Sequence, residues 1–304
     1  GISFFFRTFL LFVQIFIFYV LIKNKKISLN EVINIVYFAG FNYFVVKLFL
    51  IFLILSSRID VFSNIIRNIV FTDYVYFIRL NLGNDAIIVF SLLFIAPYLY
   101  RENYNFRFII AHFIILFLLV TSFTKYLLIT YLITLLILTL KNYVNLIKLF
   151  ILLIFIYILS LFFFKDLIDY IYSIYELRFN EISSYSDKLF QIELFTKEIL
   201  NNLSTFLVGK GGGEYIEWFL KDEYLKFNYE VQWLSLIYQL GIIRISFIFF
   251  FLIYILFKLF KRGIYFATLF LLWIFASFTN PYLLIQSSFI IYVLAFLIIY
   301  DLKI

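Results

Sequence analysis

The stretch FILLIFIYILSLFFF, residues 150–164, decides the fold of this chain. It contains no charged residue, and its apolar side chains do not alternate with polar ones as they do in the strands of a membrane β-barrel. Apolar blocks of about 16 to 26 residues recur along the chain, near the ~20 residues with which a helix crosses a ~30 Å hydrocarbon layer. Hydrophobic residues make up 65% of the chain and charged residues 14%. We therefore expect an all-α, polytopic helical membrane protein embedded in a lipid bilayer.

The apolar blocks predict nine transmembrane helices in a single integral membrane domain, residues 1–304. Their expected positions are about residues 2–22, 31–56, 86–100, 107–122, 126–140, 146–164, 231–257, 264–279 and 282–300. The chain begins at Gly1 and contains no methionine, which predicts that sequence upstream of Gly1 is missing.

Lysine and arginine collect in every second connection between the predicted spans, for example at residues 23–26 and 258–262. The positive-inside rule places such connections in the cytoplasm. The opposite side then receives a first outer loop, 57–85, and a large outer loop, 165–230. We expect these two loops to lie on the non-cytoplasmic side, which in the cytoplasmic membrane of a bacterium is the periplasm or the exterior.

The large outer loop, 165–230, is a polar island in this apolar chain. It holds 12 of the 18 acidic residues and 7 of the 25 lysines and arginines. Leu189, Ile192, Phe195 and Ile199 recur in it at helical spacing, with Ser186 before them as a helix N-cap. This pattern predicts an amphipathic helix that lies on the membrane surface.

The sequence VGKGGG, which contains Gly209, Lys210 and Gly211, follows that helix. Glycines allow backbone N–H groups to approach a phosphate, and a lysine adds positive charge. A nucleotide P-loop needs its lysine after the glycines and a Ser or Thr next, which this stretch lacks. We expect no nucleotide or nucleic-acid ligand. A plain flexible turn and a turn shaped around a substrate both remain open.

Several cations fall on the predicted outer side, at the level of the membrane boundary. The ones of interest are Arg79, Arg178, Lys188 and Lys210. An arginine fork donates two parallel hydrogen bonds to a diphosphate. Cations at this depth also anchor helices by reaching the lipid headgroups. Diphosphate binding and interface anchoring therefore both explain them.

Three further charged residues stand near or inside predicted spans. Glu230 begins the span at 231–257, where it is either a general base or an ordinary acid at a helix start. Lys47 and Arg244 lie deeper, where a cation pairs with a carboxylate or lines a cavity. The chain has no cysteine and one histidine, so we expect no metal site and no cofactor.

Three stretches resemble the bacterial O-antigen polymerase and O-antigen ligase superfamily (Wzy-like). IRLNLGNDAIIVFSLLF is similar to a segment of that family with an arginine, a glycine and an asparagine before a span. Arg79, Gly83 and Asn84 occupy those places, while Asp85 departs from the usual spacing around a proline. The island resembles the family's large outer loop through Arg178, Lys188, Gly209 and Gly211. YEVQWLSLIYQLGII resembles the segment that re-enters the membrane, where many polymerases carry a glutamate, here Glu230.

The resemblance implies a metal-independent glycosyltransferase of the polymerase type. It would join lipid-linked repeat units, carried on undecaprenyl pyrophosphate, into O-antigen or capsular polysaccharide on the outer membrane face. Arg79 and Arg178 would then stabilise the departing diphosphate, and Glu230 would accept the proton of the attacking hydroxyl. Lys188, Lys210, Gly209, Gly211 and Asn84 would bind substrate. A chain-length regulator and a flippase are the partners this reading implies.

Two other functions fit the same residues. An O-antigen ligase would use the same donor and pass the glycan to a lipid or protein acceptor. A flippase for lipid-linked oligosaccharides would move the substrate without chemistry, and such transporters tend to have internal repeats and helices broken near mid-membrane.

Overall fold

The computed structural model describes residues 2–55, 69–72, 75–78, 82, 84–101, 105–122, 124–140, 182–211, 214, 216, 231–279, 283 and 286–300. This part of the chain is helical apart from one β-hairpin. Its helices are α1 (Ile2–Lys23), α2 (Leu29–Leu55), α3 (Asp85–Arg101), α4 (Asn105–Ser122), α5 (Lys125–Leu140), α6 (Ile182–Leu200), α7 (Leu203–Val208), α8 (Gln232–Arg262), α9 (Ile264–Thr279) and α10 (Phe289–Tyr300), the last after a 3₁₀ turn at Gln286–Ser288.

Eight of the nine predicted apolar spans overlap helices, and the ninth, 146–164, lies outside the described residues. Two helical segments are long and apolar enough to cross a membrane, Leu29–Leu53 and Gln232–Arg262. The other apolar helices have 10–17 residues when they are counted over the residues whose side chains are described; α1, for example, is then counted from Phe9 to Lys23. A helix of about 16 residues is about 24 Å long, less than a ~30 Å hydrocarbon layer. Length and composition thus indicate a membrane protein with two candidate spans, and the number nine is not supported.

The predicted first outer loop, 57–85, contains an antiparallel β-hairpin. Its strands are β1 (Ile69–Thr72) and β2 (Val75–Ile78), with Ile69 opposite Ile78 and Thr72 opposite Val75. Valine, isoleucine, phenylalanine and tyrosine favour strands because branched and aromatic side chains pack well on a pleated surface. The predicted helical class is confirmed, and this hairpin is a short addition that the sequence reading did not include.

The contacts of the chain form two compact units. The larger unit comprises 5–134, 251–276 and 282–304. Its centre is α3, whose residues 86–99 are mostly buried and which contacts α2, α4 and α10. Pro97 leaves the Leu93 carbonyl without its helical donor, because proline has no N–H. The Tyr265 hydroxyl of α9 supplies the missing donor in a 2.7 Å hydrogen bond.

The smaller unit comprises 1–4, 135–250 and 277–281. It contains α6, α7 and the first part of α8. Phe195 and Ile199 of α6 pack in a buried cluster with Ile216 and with Tyr238 of α8. Phe195 and Tyr238 meet edge to face with ring centroids 5.5 Å apart, an arrangement that aromatic rings prefer.

The amphipathic helix predicted in the island exists, but two details of its prediction are wrong. The helix begins at Ile182, so Ser186 lies inside it and is not its N-cap. The predicted apolar stripe is also divided, because Phe195 and Ile199 are buried while Leu189 and Ile192 are exposed. The buried face of α6 continues instead through the polar residue Gln191.

The long helix α8 is interrupted at Gly241, whose backbone has φ 74° and ψ 160°. This conformation is essentially restricted to glycine. The interruption frees the carbonyls of the preceding turn from their helical donors. Those carbonyls become available to another segment of the chain.

Candidate functional site

Five of the eight predicted site residues are described by the structure, and three are not. The described ones are Lys188, Gly209, Lys210, Gly211 and Asn84. The ones outside the described residues are Arg79, Arg178 and Glu230. Four of the five described residues belong to the smaller unit, and Asn84 belongs to the larger one.

The glycine turn at 209–211 is fixed on the backbone of α8. The Lys210 N–H donates to the Tyr238 carbonyl at 2.9 Å, and the Gly211 N–H donates to the Gln239 carbonyl at 3.0 Å. These two carbonyls lie just before the interruption at Gly241, so the turn replaces the helical donors that the interruption removes. The two N–H groups are thus occupied within the protein. The structure gives the glycine turn a packing role, and its role toward a substrate stays a prediction.

Two glycines make this approach possible. A Cβ atom on Gly209 would lie 2.4 Å from the Gln239 carbonyl oxygen, and one on Gly241 would lie 2.4 Å from the Leu207 carbonyl oxygen. Both have positive φ, 82° and 74°. The two backbone segments therefore cross in van der Waals contact, which no side chain at either position would permit.

The side chain of Lys210 stays at the surface of this crossing. Its Nζ lies 2.8 Å from Glu198 Oε2 and 5.3 Å from the centre of the Tyr238 ring. The hydrogen bond to Glu198 raises the pKa of the Lys210 ammonium above its ordinary value, so this lysine is charged at neutral pH. Both partners are partly exposed, so an anionic substrate can approach Lys210 from solvent. Because Glu198 already pairs with the ammonium, that substrate would compete with Glu198 for it.

Lys188 lies on α6 one turn before Gln191, whose Oε1 accepts a 3.4 Å hydrogen bond from the Val231 N–H. Residues three apart share a face of a helix. Val231 directly follows Glu230 in the sequence. The structure therefore brings the α6 face that carries Lys188 to the segment next to Glu230, at the point where α8 begins.

A second polar cluster lies in the larger unit, between α2 and the start of α3. Asp85 accepts hydrogen bonds from Tyr43 at 2.8 Å, from Lys47 at 2.9 Å and from the Leu82 N–H at 3.0 Å. Lys47 is fully buried and Asp85 is 1% exposed. A buried carboxylate with three donors, one of them a cation, has its lost hydration replaced. Lys47 thus pairs with a carboxylate, the first of the two alternatives considered from the sequence.

The Asp85 cluster fixes the chain immediately before α3. Asn84, which is exposed, stands next to Asp85, and Leu82 follows Arg79 by three residues. The carboxylate of Asp85 holds the Leu82 backbone, while Tyr43 and Lys47 hold Asp85 against α2. The segment that carries two predicted site residues is therefore anchored at its end by α2.

Sequence reasoning missed the partners of these sites. The sequence pattern marks Asp85 only as a departure from the family spacing, and it assigns no role to Tyr43, Gln191 or Gly241. A lysine buried in an apolar helix needs a carboxylate partner, and Asp85 stands at the start of an apolar block. The pairing of Lys47 with Asp85 could therefore have been predicted from the sequence. Gln191 and Gly241 carry no such signal, because only the packing of α6 and α7 on α8 gives them a role.

Arg244 of α8 is exposed, unlike Lys47. His112 of α4 lies with Nδ1 3.1 Å from the Tyr131 hydroxyl of α5. Across the part of the chain that the structure describes, no group of three or more histidine, cysteine or acidic side chains gathers where a metal could bind.

Comparisons with protein-family models, with curated proteins and with solved structures found no match to this chain. The likeness to O-antigen polymerases and ligases therefore depends on the three sequence stretches alone.

Proposed function

We propose that this chain is a membrane glycosyltransferase that polymerises lipid-linked glycan repeat units, with undecaprenyl pyrophosphate as the leaving group. The observation that carries the proposal is the contact between α6 and the start of α8. Gln191, one turn from Lys188, accepts a hydrogen bond from Val231, the neighbour of Glu230. This contact supports a site that combines a cation and a candidate general base from distant parts of the sequence.

The proposed reaction needs a cation and a carboxylate near each other. A sugar hydroxyl of the acceptor attacks the anomeric carbon of the donor, and the bond from that carbon to the diphosphate oxygen breaks. Glu230 takes the hydroxyl proton, and Arg79 and Arg178 bind the diphosphate as its charge grows. Lys188 and Lys210 bind the phosphates or the glycan at the edge of the island. The site would face the outer side of the cytoplasmic membrane.

The experiment is to produce the chain in lipid nanodiscs and supply a defined donor, a single repeat unit on undecaprenyl pyrophosphate. Polymer length is read on a gel. We expect a ladder from the unaltered protein, and a loss of at least about 10²-fold in rate for Glu230→Gln, the size typical of a general base. Arg79→Ala and Arg178→Ala should also abolish the ladder.

Two controls make the result specific. Lys261→Gln removes an exposed charge at the end of α8, far along that helix from Glu230, and should leave the ladder unchanged. Glu230→Asp keeps the carboxylate and should restore part of the rate. A normal ladder from Glu230→Gln, with the protein folded, would refute the proposed chemistry.

A transporter of lipid-linked glycans is the second candidate, and one observation favours it. The ion pair of Lys47 and Asp85 is buried among apolar helices. Buried charges within membrane segments are common in transporters. Flipping of a fluorescent lipid-linked glycan in vesicles, with no polymer formed, would favour transport. Transfer of the glycan to an added lipid or protein acceptor would favour the ligase.

A further inference from the structure

The island helices expose an apolar surface that their own core does not use. On α6 it consists of Leu189, Ile192 and Leu200, and on α7 of Leu203, Leu207 and Val208. Leu200 is 75% exposed and Leu203 is 70% exposed. We call these six residues the outward apolar face.

This surface is distinct from the one that packs on α8. Positions 189, 192 and 200 fall within an arc of about 80° on a helix with about 3.6 residues per turn. Gln191, Phe195 and Ile199, which are buried, fall on a neighbouring arc of similar width. Helix α6 therefore has two largely apolar sides, and the smaller unit's described core uses one of them.

The crossing of Gly209 and Gly241 lies at a particular position along α8, and that position indicates which environment covers the outward apolar face. The part of α8 after Gly241, residues 242–262, is about 31 Å long at ~1.5 Å per residue, the thickness of a hydrocarbon layer. It exposes large apolar side chains such as Phe247 and Phe250, and ends in Lys258, Lys261 and Arg262. When residues 242–262 span the bilayer, Gly241 lies at one boundary of the hydrocarbon layer and the basic end of α8 lies at the other.

Helix α7 is held at that level by the glycine crossing. The Leu207 carbonyl oxygen and the Val208 carbonyl carbon both lie 2.4 Å from where a Gly241 Cβ would be. Leu207 and Val208 are exposed there, beside the start of the segment long enough to span. Leu207 and Val208, at one end of the outward apolar face, thus lie at the level of Gly241, which is where headgroups meet acyl chains when α8 spans the bilayer.

The charges beside the face suit the same environment. Lys197 lies beside the 189–192–200 arc, about 60° around the helix from Leu200, with Glu193 between them. Lysine side chains lay their methylenes along apolar surface and extend the ammonium to the headgroups. Helices of this kind bind in the plane of the interface.

We propose that the outward apolar face docks α6 and α7 on the bilayer interface, with Leu200, Leu203 and Leu207 inserted below the headgroups. The island is then held at two places, by the glycine crossing on α8 and by lipid along the outward side of α6. This inference depends on α8 crossing the membrane and does not depend on the proposed reaction.

The absence of cysteine from the chain allows a direct test with single-cysteine variants. The probes on the face are Ile192→Cys, Leu200→Cys, Leu203→Cys and Leu207→Cys, each carrying a nitroxide in nanodiscs of phosphatidylethanolamine and phosphatidylglycerol. We expect severalfold higher collision with oxygen than with a water-soluble nickel complex at all four positions. Asn201→Cys, at an exposed position beyond the C-terminal end of α6, should show the reverse.

Two outcomes would overturn the proposal. Preferential collision with the nickel complex at Leu200→Cys and Leu203→Cys would place the face in water. The second outcome concerns labelling of these cysteines by a membrane-impermeant maleimide. If labelling is blocked in native membranes but rapid in nanodiscs that hold one copy of the chain, the face is covered by a protein partner. Labelling of Asn201→Cys serves as the rate standard in both preparations.

Discussion

Asp85 is the residue with the largest consequences for the larger unit, because it compensates a lysine that has no exposure to solvent. Its carboxylate accepts from a side-chain cation, a phenol and a backbone N–H at distances between 2.8 and 3.0 Å. Removal of one member of a buried ion pair leaves the other charge without hydration or a partner. The pair should therefore behave as a unit when it is altered.

We expect Asp85→Leu to lower the free energy of unfolding by about 3–5 kcal/mol, since Lys47 would remain buried and uncompensated. Lys47→Leu with Asp85→Leu should cost less than Asp85→Leu alone, because the double variant buries no charge. Denaturation in micelles followed by circular dichroism measures both. Tyr43→Phe, which removes one hydrogen bond to the carboxylate, should cost only about 1.5–3 kcal/mol. Additive losses in the double variant would contradict this interpretation.

Gly209 and Gly211 offer a matched pair for the crossing of the two backbones. Both have positive φ, but a Cβ on Gly209 would strike the α8 backbone, while one on Gly211 would meet nothing within 4 Å. Gly209→Ala should cost more than the roughly 1–3 kcal/mol of backbone strain alone, and Gly211→Ala no more than that strain. Thermal unfolding of the two variants in the same micelles gives the comparison. Equal losses would show that the contact with α8 adds nothing.

At the scale of elements, α6 joins the island to α8 through a small cluster rather than through its full length. Phe195 is fully buried against Tyr238, and Gln191 reaches the backbone of Val231. The turn after α7 supplies the third attachment through the carbonyls that the interruption at Gly241 leaves open. These three contacts order the smaller unit around the start of α8.

Phe195→Ala should release α6 from α8, because a truncated buried phenylalanine costs about 3–5 kcal/mol. Backbone amides of α6 should then exchange with deuterium much faster, while those of α3 keep their protection. Lys197→Ala, at an exposed position on the same helix, serves as the control. The free energy of opening that hydrogen exchange reports for α6 should stay within about 0.5 kcal/mol of its original value in this variant. Unchanged protection of α6 in Phe195→Ala would show that the cluster does not hold the helix.

At the scale of the whole molecule, the prediction to test is the side of the membrane on which each loop lies. The basic residues after α8 predict a cytoplasmic end there, and the polar island is predicted to lie outside. In intact cells, a membrane-impermeant maleimide should label Asn201→Cys and should label Lys261→Cys only after permeabilisation. Both positions are exposed in the structure. If Lys261→Cys is labelled in intact cells as fast as Asn201→Cys, position 261 is not cytoplasmic and the predicted orientation is wrong.

The sequence by itself determined the helical character of this protein and the approximate position of eight apolar helices. It could do so because a long run without charges has one low-energy backbone conformation in lipid, in which every N–H and carbonyl is bonded within the segment. The same reasoning indicated that Lys47 pairs with a carboxylate or lines a cavity. The number of nine spans is not supported, since two of the described helical segments are long and apolar enough to cross a membrane, and apolar composition does not specify helix length.

Only the tertiary structure decided which residues meet. The partners Tyr43 and Asp85 of Lys47, the bond between Gln191 and Val231, and the crossing of Gly209 and Gly241 all join positions that are far apart in the sequence. The division of the island helix into a packed side and an outward side has the same origin. Helical periodicity shows that α6 has apolar positions, but packing on α8 selects which of them are buried.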